Sequence, residues 1–203
     1  MYMKYYYDGM QEYVDGISEV IADGMTLAEE AKMVYTQVGL AIKSHLKAQG
    51  YCKEYAESFV NDKLGVTALD FEDVKNDFED FWQVVEADVI DNEAKVVLTR
   101  PEVKVASIQQ NDETVTILSI KQKADKFLEK HIKKSAEFYS KLANLADFAE
   151  EKGIPQVGGS YLDIADIVTE NLTVSVVTMA EGVDAVLQSL GYLNESFEEK
   201  DND

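Results

Sequence analysis

The sequence predicts a mainly α-helical bundle with a small β-hairpin inserted near residues 84–100. Proline interrupts helices, and only two prolines, Pro101 and Pro155, occur among the 203 residues. Apolar residues recur at intervals of three and four over most of the chain, as they do on one face of a helix. Apolar residues make up 46% of the chain and charged residues 29%, which is typical of folded globular proteins. Together these features predict long helices packed around an apolar core.

The first part of the chain predicts two helices that are separated near Gly24. Residues 5–22 carry apolar side chains at helical spacing, with acidic side chains on another face. Thr26 and Glu29 have the spacing of a capping box, which indicates the start of a second helix. Gly50 suits the position just after the end of that helix, because glycine readily adopts the left-handed conformation found there.

A short helix is predicted over residues 52–64, and a fourth helix begins at Asp70. The apolar face of this fourth helix is the most aromatic in the chain, and we expect it to be buried. That face consists of Phe71, Val74, Phe78, Phe81, Trp82 and Val85. Phe78, Phe81 and Trp82 are also our candidates for one wall of an apolar ligand pocket next to the hairpin.

The hairpin is predicted from a change in composition after this aromatic helix. Residues 84–90 and 95–99 are rich in β-branched side chains, and they flank residues 91–94, whose composition favours a turn. Residues 103–105 and 115–117 form a second, weaker candidate pair of strands.

Two long helices are predicted in the last part of the chain, over about 117–152 and about 160–190. Gly153 and Gly191 follow them as helix-terminating residues. The apolar face expected for the first of these helices consists of Leu128, Ile132, Tyr139, Leu142, Ala146 and Ala149. We expect one mainly helical domain over 1–193, with the hairpin region at 84–120.

The charge and the cysteine content exclude several classes of protein. The net charge is −20, with a single arginine, so no basic patch is expected that would bind nucleic acid directly. The apolar runs are too short to span a membrane, and the first residues lack the layout of a secretory signal. The acidic tail at 194–203 is predicted to be disordered. With one cysteine, Cys52, the chain fits a reducing compartment, and the expected location is cytoplasmic.

No catalytic residue, metal ligand or cofactor is assigned from the sequence. His45 and His131 are the only histidines, and each is surrounded by lysines, which predicts exposed helix surface. Residues 157–161 are rich in glycine but lack the lysine of a phosphate-binding loop. An enzyme whose active site leaves no local motif remains an alternative.

The start of the chain carries our candidates for an interface. Adjacent helix positions point about 100° apart, so consecutive tyrosines cannot all face one core. Glycine destabilises a helix interior, and a closely approaching partner helix would account for its presence there. The candidates are Tyr2, Tyr5, Tyr6, Tyr7, Tyr13, Gly9 and Gly16.

We therefore expect a non-enzymatic helical interaction protein: an adaptor, assembly factor or regulatory subunit of the kind that phages and other mobile elements encode. Its partner would be another protein or a second copy of the chain, so that an oligomer is expected. Two alternatives remain open besides an enzyme without a local motif. One is an acidic inhibitor that mimics nucleic acid, and the other is a sensor that binds a small apolar ligand.

Replacing Tyr5 and Tyr7 by serine tests the predicted interface at the start of the chain. The double variant should unfold at nearly the same denaturant concentration as the unchanged protein. It should associate more weakly, because interface aromatics often contribute more than about 2 kcal/mol of binding. Sedimentation of both proteins measures the association, and equal sedimentation of two monomers would contradict self-association through these residues.

Overall fold

The computed structural model describes residues 2–91, 100–104, 117–154 and 161–192. Within these ranges, the side chains of residues 2–8, 10, 87–91, 161–165 and 167 are not described. Five helices occupy the described ranges, and no β-strand is found in them. The helices are α1 (Tyr2–Ala48), α2 (Lys53–Leu64), α3 (Ala68–Asp91), α4 (Ile117–Lys152) and α5 (Tyr161–Ser189).

The first part of the chain forms one helix of 47 residues, so the predicted break near Gly24 is wrong. The Thr26 hydroxyl does not cap a new helix but donates a hydrogen bond of 2.8 Å to the carbonyl of Ala22, one turn earlier. Gly24 is helical and faces the ring of Phe78 on α3. Gly24 therefore allows close contact between α1 and α3, whereas the sequence pattern indicated a helix end at this glycine.

The predicted β-hairpin at 84–100 is also wrong, because α3 continues to Asp91. Val85 is buried and extends the aromatic face of α3 by one more turn, and this packing outweighs the β-propensity of the segment. The second predicted strand, at 95–99, lies outside the described residues. Residues 100–104 have no regular secondary structure, and Val103 packs partly buried against the core.

The predicted bounds of α2, α4 and α5 agree with the structure to within one residue, and a glycine follows each of these helices. Gly65, Gly153 and Gly191 all adopt positive φ angles after the last helical turn. Gly50 ends α1 in the same way, with φ of 94°, and the amide of Tyr51 donates to the carbonyl of Leu46 at 3.1 Å. This 6→1 hydrogen bond satisfies a carbonyl that the end of the helix leaves free.

The long helices form a four-cornered bundle in which neighbours run antiparallel. α1 packs on α4 and on α3, and α5 packs on the same two helices from the opposite corner. α2 precedes α3 along the same side and also contacts both α1 and α5. α3 and α4 occupy opposite corners and meet through side chains, with the rings of Phe78 and Phe138 6.0 Å apart.

The core consists of two clusters of buried residues that follow one another along the bundle. The larger cluster contains the aromatic face of α3, and the smaller one surrounds the C-terminal turns of α1 and α5. Val34 and Tyr35 of α1 pack against both clusters and so connect them. The aromatic face predicted from the sequence is thus confirmed as core, with Phe71 and Trp82 among its fully buried side chains.

Ion pairs between neighbouring helices agree with the antiparallel arrangement at three of the helix–helix seams. Lys75 of α3 contacts Glu29 of α1 at 2.6 Å, and Lys32 of α1 contacts Glu72 of α3. A hydrogen bond to Glu29 raises the pKa of Lys75, and the hydrogen bond to Lys32 lowers the pKa of Glu72. Lys141 of α4 similarly reaches Asp23 at 2.8 Å, and Lys121 reaches Asp184 of α5 at 2.7 Å. Each pair is partly exposed, so we expect a contribution of at most about 1 kcal/mol from each.

Glycines allow neighbouring helices to approach closely. A Cβ at Gly24 would lie 2.4 Å from the Phe78 ring, and a Cβ at Gly16 would lie 2.4 Å from Leu145 of α4. At Gly182 of α5 the obstacle is backbone, because a Cβ would lie 2.6 Å from the Cα of Leu64. The α2–α5 contact therefore depends on a missing side chain.

Gly182→Ala should lower the free energy of unfolding by about 1–3 kcal/mol, because the backbone of α2 must move to admit a methyl group. Gly39→Ala is the matched control, since its Cβ would lie at an ordinary 3.5 Å from Val60. That change should raise the free energy of unfolding by up to about 1 kcal/mol through helix propensity. Denaturant melts measure both variants, and equal stabilities would contradict the close approach at Gly182.

Candidate functional site

The candidates at the start of α1 are only partly within the described side chains. Tyr13 is buried in the larger core cluster, and burial raises the pKa of its hydroxyl to about 12. Gly16 contacts Leu145 of α4. A Cβ added at Gly9 would lie 3.8 Å from the side chain of Ile154, which is an ordinary contact distance. The side chains of Tyr2, Tyr5, Tyr6 and Tyr7 lie outside the described ones. Tyr13, Gly9 and Gly16 therefore serve contacts within the chain.

The three pocket candidates on α3 are all buried. Phe78, Phe81 and Trp82 are each at most 3% exposed and belong to the core. The Nε1 atom of Trp82 is buried without a hydrogen-bond partner in the described part of the chain. An unpaired buried donor destabilises the fold. None of these three side chains lines either of the two cavities between α1 and α4, so they do not form a pocket wall there.

Two cavities open along the seam between α1 and α4. The first has a volume of about 140 Å³, and Lys130 and Glu30 form an ion pair of 2.5 Å across the same seam. Its lining consists of Asp23, Thr26, Leu27, Glu30, Lys130, Lys134, Glu137 and Phe138. The second is an open, acidic depression of about 620 Å³ around Gly16. Neither has the enclosed apolar walls that small-ligand pockets usually have.

The outer face of α4 exposes a continuous row of apolar residues. Ile132, Ala136, Tyr139 and Ala143 follow one another at intervals of four, three and four, so they lie on one side of the helix. All four are exposed, with 58% of Ile132 and 38% of Tyr139 accessible to solvent. We call this set the α4 row.

The α4 row corrects the inner face that the sequence predicted for α4. Ile132 and Tyr139 were expected in the core, but His131 and Phe138, their neighbours in sequence, are buried instead. α4 carries apolar residues over more of its circumference than α1 and α5 can cover. The sequence signal for the α4 row was therefore present, but only the positions of the neighbouring helices decide which side is covered.

Exposed carboxylates lie beyond both ends of the α4 row. Asp125 and Glu129 precede it, and Asp147 and Glu150 follow it, at spacings that keep them on the same side of the helix. Asp125 contacts Lys121 at 3.5 Å. The other three carboxylates have no ion-pair partner among the described residues. Lys126 and Lys133 are exposed lysines at the edge of the row, one turn before and one turn after Glu129.

A second group of exposed aromatics lies at the end of the bundle where α1 stops. The rings of Tyr51 and Tyr55 stack 4.9 Å apart, and Tyr55 continues onto Phe59 at 6.0 Å. Tyr192, after α5, contacts His45 edge-on at 5.7 Å. Much of this aromatic surface is thus already in contact within the chain. In the α4 row, the ring of Tyr139 contacts the buried ring of Phe138 edge-on at 6.1 Å, and Ile132 makes no such ring contact.

The outer side of α3 is strongly acidic. Between Ala68 and Glu86, α3 carries seven carboxylates and one lysine. Asp73, Asp77 and Asp80 are exposed and lie on one side of the helix. The pKa of Asp77 is raised by partial burial and by repulsion from Asp80 and Asp73. Like charges at these spacings destabilise a helix slightly.

His131 is fully buried, which corrects its predicted exposure on the surface of α4. Its Nε2 atom lies 3.2 Å from the hydroxyl of Thr173 on α5 and 3.3 Å from the hydroxyl of Ser135. Its Nδ1 atom is buried with no hydrogen-bond partner among the described groups. Burial lowers the pKa of the imidazole, because the charged form would be poorly solvated there.

Comparisons with known proteins identify no relative: no family model, no curated protein and no solved structure matches this chain. In the described part of the chain, no helix is long and apolar enough to cross a membrane. The same residues contain no group of three or more His, Cys, Asp or Glu placed to hold a metal ion. The candidate site therefore depends on the surface geometry alone.

The burial of His131 predicts a loss of stability in mild acid. Its pKa is lower in the folded protein than in the unfolded chain, so stability is complete above the unfolded value near 6.5 and decreases as the pH falls below it. Between pH 7 and about 5.5, the free energy of unfolding should fall by up to about 1 kcal/mol. Urea melts at several pH values measure this change.

His131→Gln should remove most of this pH dependence, and His45→Gln, at the only other histidine of the chain, should leave it in place. Most carboxylates titrate near pH 4, below this window. A slope that survives in His131→Gln would show that another group causes the acid sensitivity.

Proposed function

We propose that this protein is a non-enzymatic helical interaction module that binds another protein through the outer face of α4. The exposure of the α4 row supports this function best. Contiguous exposed apolar surface is uncommon on monomeric proteins and usually marks an interface. The row would form one wall of a helix–helix contact, and the rest of the bundle would hold α4 rigid.

The residue types of the α4 row suit a helical partner. Ala136 and Ala143 are small, so the backbone of a second helix can approach α4 closely between Ile132 and Tyr139. Tyrosine is enriched at protein interfaces because it combines a large apolar surface with a polar tip. Anchors at intervals of three and four are the pattern by which one helix recognises another.

A second candidate function is suggested by the acidic side of α3. The row of Asp73, Asp77 and Asp80 resembles the repeated negative charge of a nucleic-acid backbone, and it would suit an inhibitor that occupies a basic groove. The apolar α4 row has no role in such a mimic. Substitutions in the α4 row therefore separate the two functions.

A photo-crosslinking residue in place of Ala136 tests the proposed function in the organism that encodes the chain. It should give one defined product with a partner protein. Ile132→Ser combined with Tyr139→Ser should abolish that product, because loss of a central aromatic anchor weakens binding by about 2 kcal/mol or more. The exposed pair contributes little to the core, so the free energy of unfolding should change by less than about 1 kcal/mol.

The matched control places the same crosslinker at Asn76, which is exposed on α3. A product at Asn76 that persists in the serine variant would favour the acidic mimic. Identical products from both positions, unaffected by the serine substitutions, would contradict a specific contact along α4.

A further inference from the structure

From the charges around the α4 row, we infer that its partner is an amphipathic helix with an apolar centre and lysine or arginine at both ends. This inference rests on the proposed function, because it names the chemistry of the partner that binds the same face. It combines two independent observations, which are the exposed apolar row and the carboxylates beyond its two ends.

The apolar part of the face sets the length of the partner's apolar centre. From Ile132 to Ala143 the α4 row extends about 17 Å, at 1.5 Å per residue. A partner helix would cover this distance with about three turns. Leucine or a similar side chain at every third or fourth position would contact Ile132 and Tyr139 and pass over the two alanines.

The carboxylates set the charge of the partner's ends. Asp125 and Glu150 lie about 38 Å apart along the helix, so a partner of about 25 residues reaches both. Glu129, Asp147 and Glu150 are exposed and have no ion-pair partner among the described residues. Lysine or arginine at each end of the partner would pair with these groups. The net charge of −20 also accelerates encounter with a basic partner.

The same charges disfavour a second copy of this chain as the occupant. If two α4 helices packed antiparallel, Asp125 and Glu129 of one copy would face Asp147 and Glu150 of the other. If they packed parallel, each carboxylate would face its own counterpart. Both orientations bring like charges together across the contact, so the α4 row is suited to a different, basic chain.

Two synthetic peptides test this inference against the intact protein. Both have about 25 residues and the same leucine- and alanine-rich helical centre, and one carries lysine at both ends where the other carries glutamate. Titration calorimetry should show that the lysine peptide binds at least about tenfold more tightly. Its advantage should shrink at high salt, because exposed charges are screened.

Charge reversal in the protein identifies which carboxylates are responsible. Glu129→Lys combined with Asp147→Lys should remove or invert the preference for the lysine peptide. Asp73→Lys combined with Asp77→Lys is the matched control, because it changes the net charge equally on exposed positions of α3. The control variant should keep the preference, and circular dichroism verifies that both variants are folded.

The outcomes separate the partner's chemistry from the proposed function. In one outcome, the serine variant, Ile132→Ser with Tyr139→Ser, weakens the binding of both peptides equally while charge reversal has no effect. In that case the inference of basic ends is wrong, and the proposed contact along α4 stands. If the serine variant binds the lysine peptide as tightly as the unchanged protein does, both proposals fail. If neither peptide binds, or if sedimentation shows a dimer that the serine variant loses, the inference of a basic helical partner is overturned.

Discussion

Close packing of large side chains onto glycines is the constraint on which this bundle depends. Gly24 receives the ring of Phe78, and Gly16 receives Leu145, so α1 approaches α3 and α4 at two levels of its length. At the other end of the molecule, the missing side chain of Gly182 lets the backbone of α2 approach α5 closely. Because these approaches fix how near the helices lie, they also decide which neighbouring side chains are covered.

The charges of the chain are arranged around this packing. Lysines of α1, α3 and α4 reach carboxylates across the helix seams, and most of the other acidic residues whose side chains the structure describes are exposed. On the outer side of α3, partial burial raises the pKa of Asp77, and repulsion from Asp80 and Asp73 raises it further. His131 has the opposite environment, an apolar interior in which its neutral form is favoured. The fold therefore tolerates negative charge on its surface far better than positive charge in its core.

α4 has two apolar sides, and the bundle uses only one of them. The inner side, with Phe127, His131 and Phe138, meets α1 and α5, and the outer side leaves the α4 row in solvent. An exposed apolar side on a long helix adds little to the stability of the chain, and exposed apolar surface of this kind usually marks an interface. A partner that covers this side would explain why it is apolar. The carboxylates beyond the ends of the row would favour a partner with basic ends.

The sequence by itself determined where most helices begin and end, because glycines with positive φ terminate them and apolar spacing marks their cores. It also identified the aromatic face of α3 as buried. Only the tertiary structure decided that α1 is one helix through Gly24 and that α3 continues where β-branched residues predicted a strand. It also decided which side of α4 is exposed. Each of these depends on what packs against the segment, and local propensities, which amount to about 1 kcal/mol or less per residue, are outweighed by burial against a neighbouring helix.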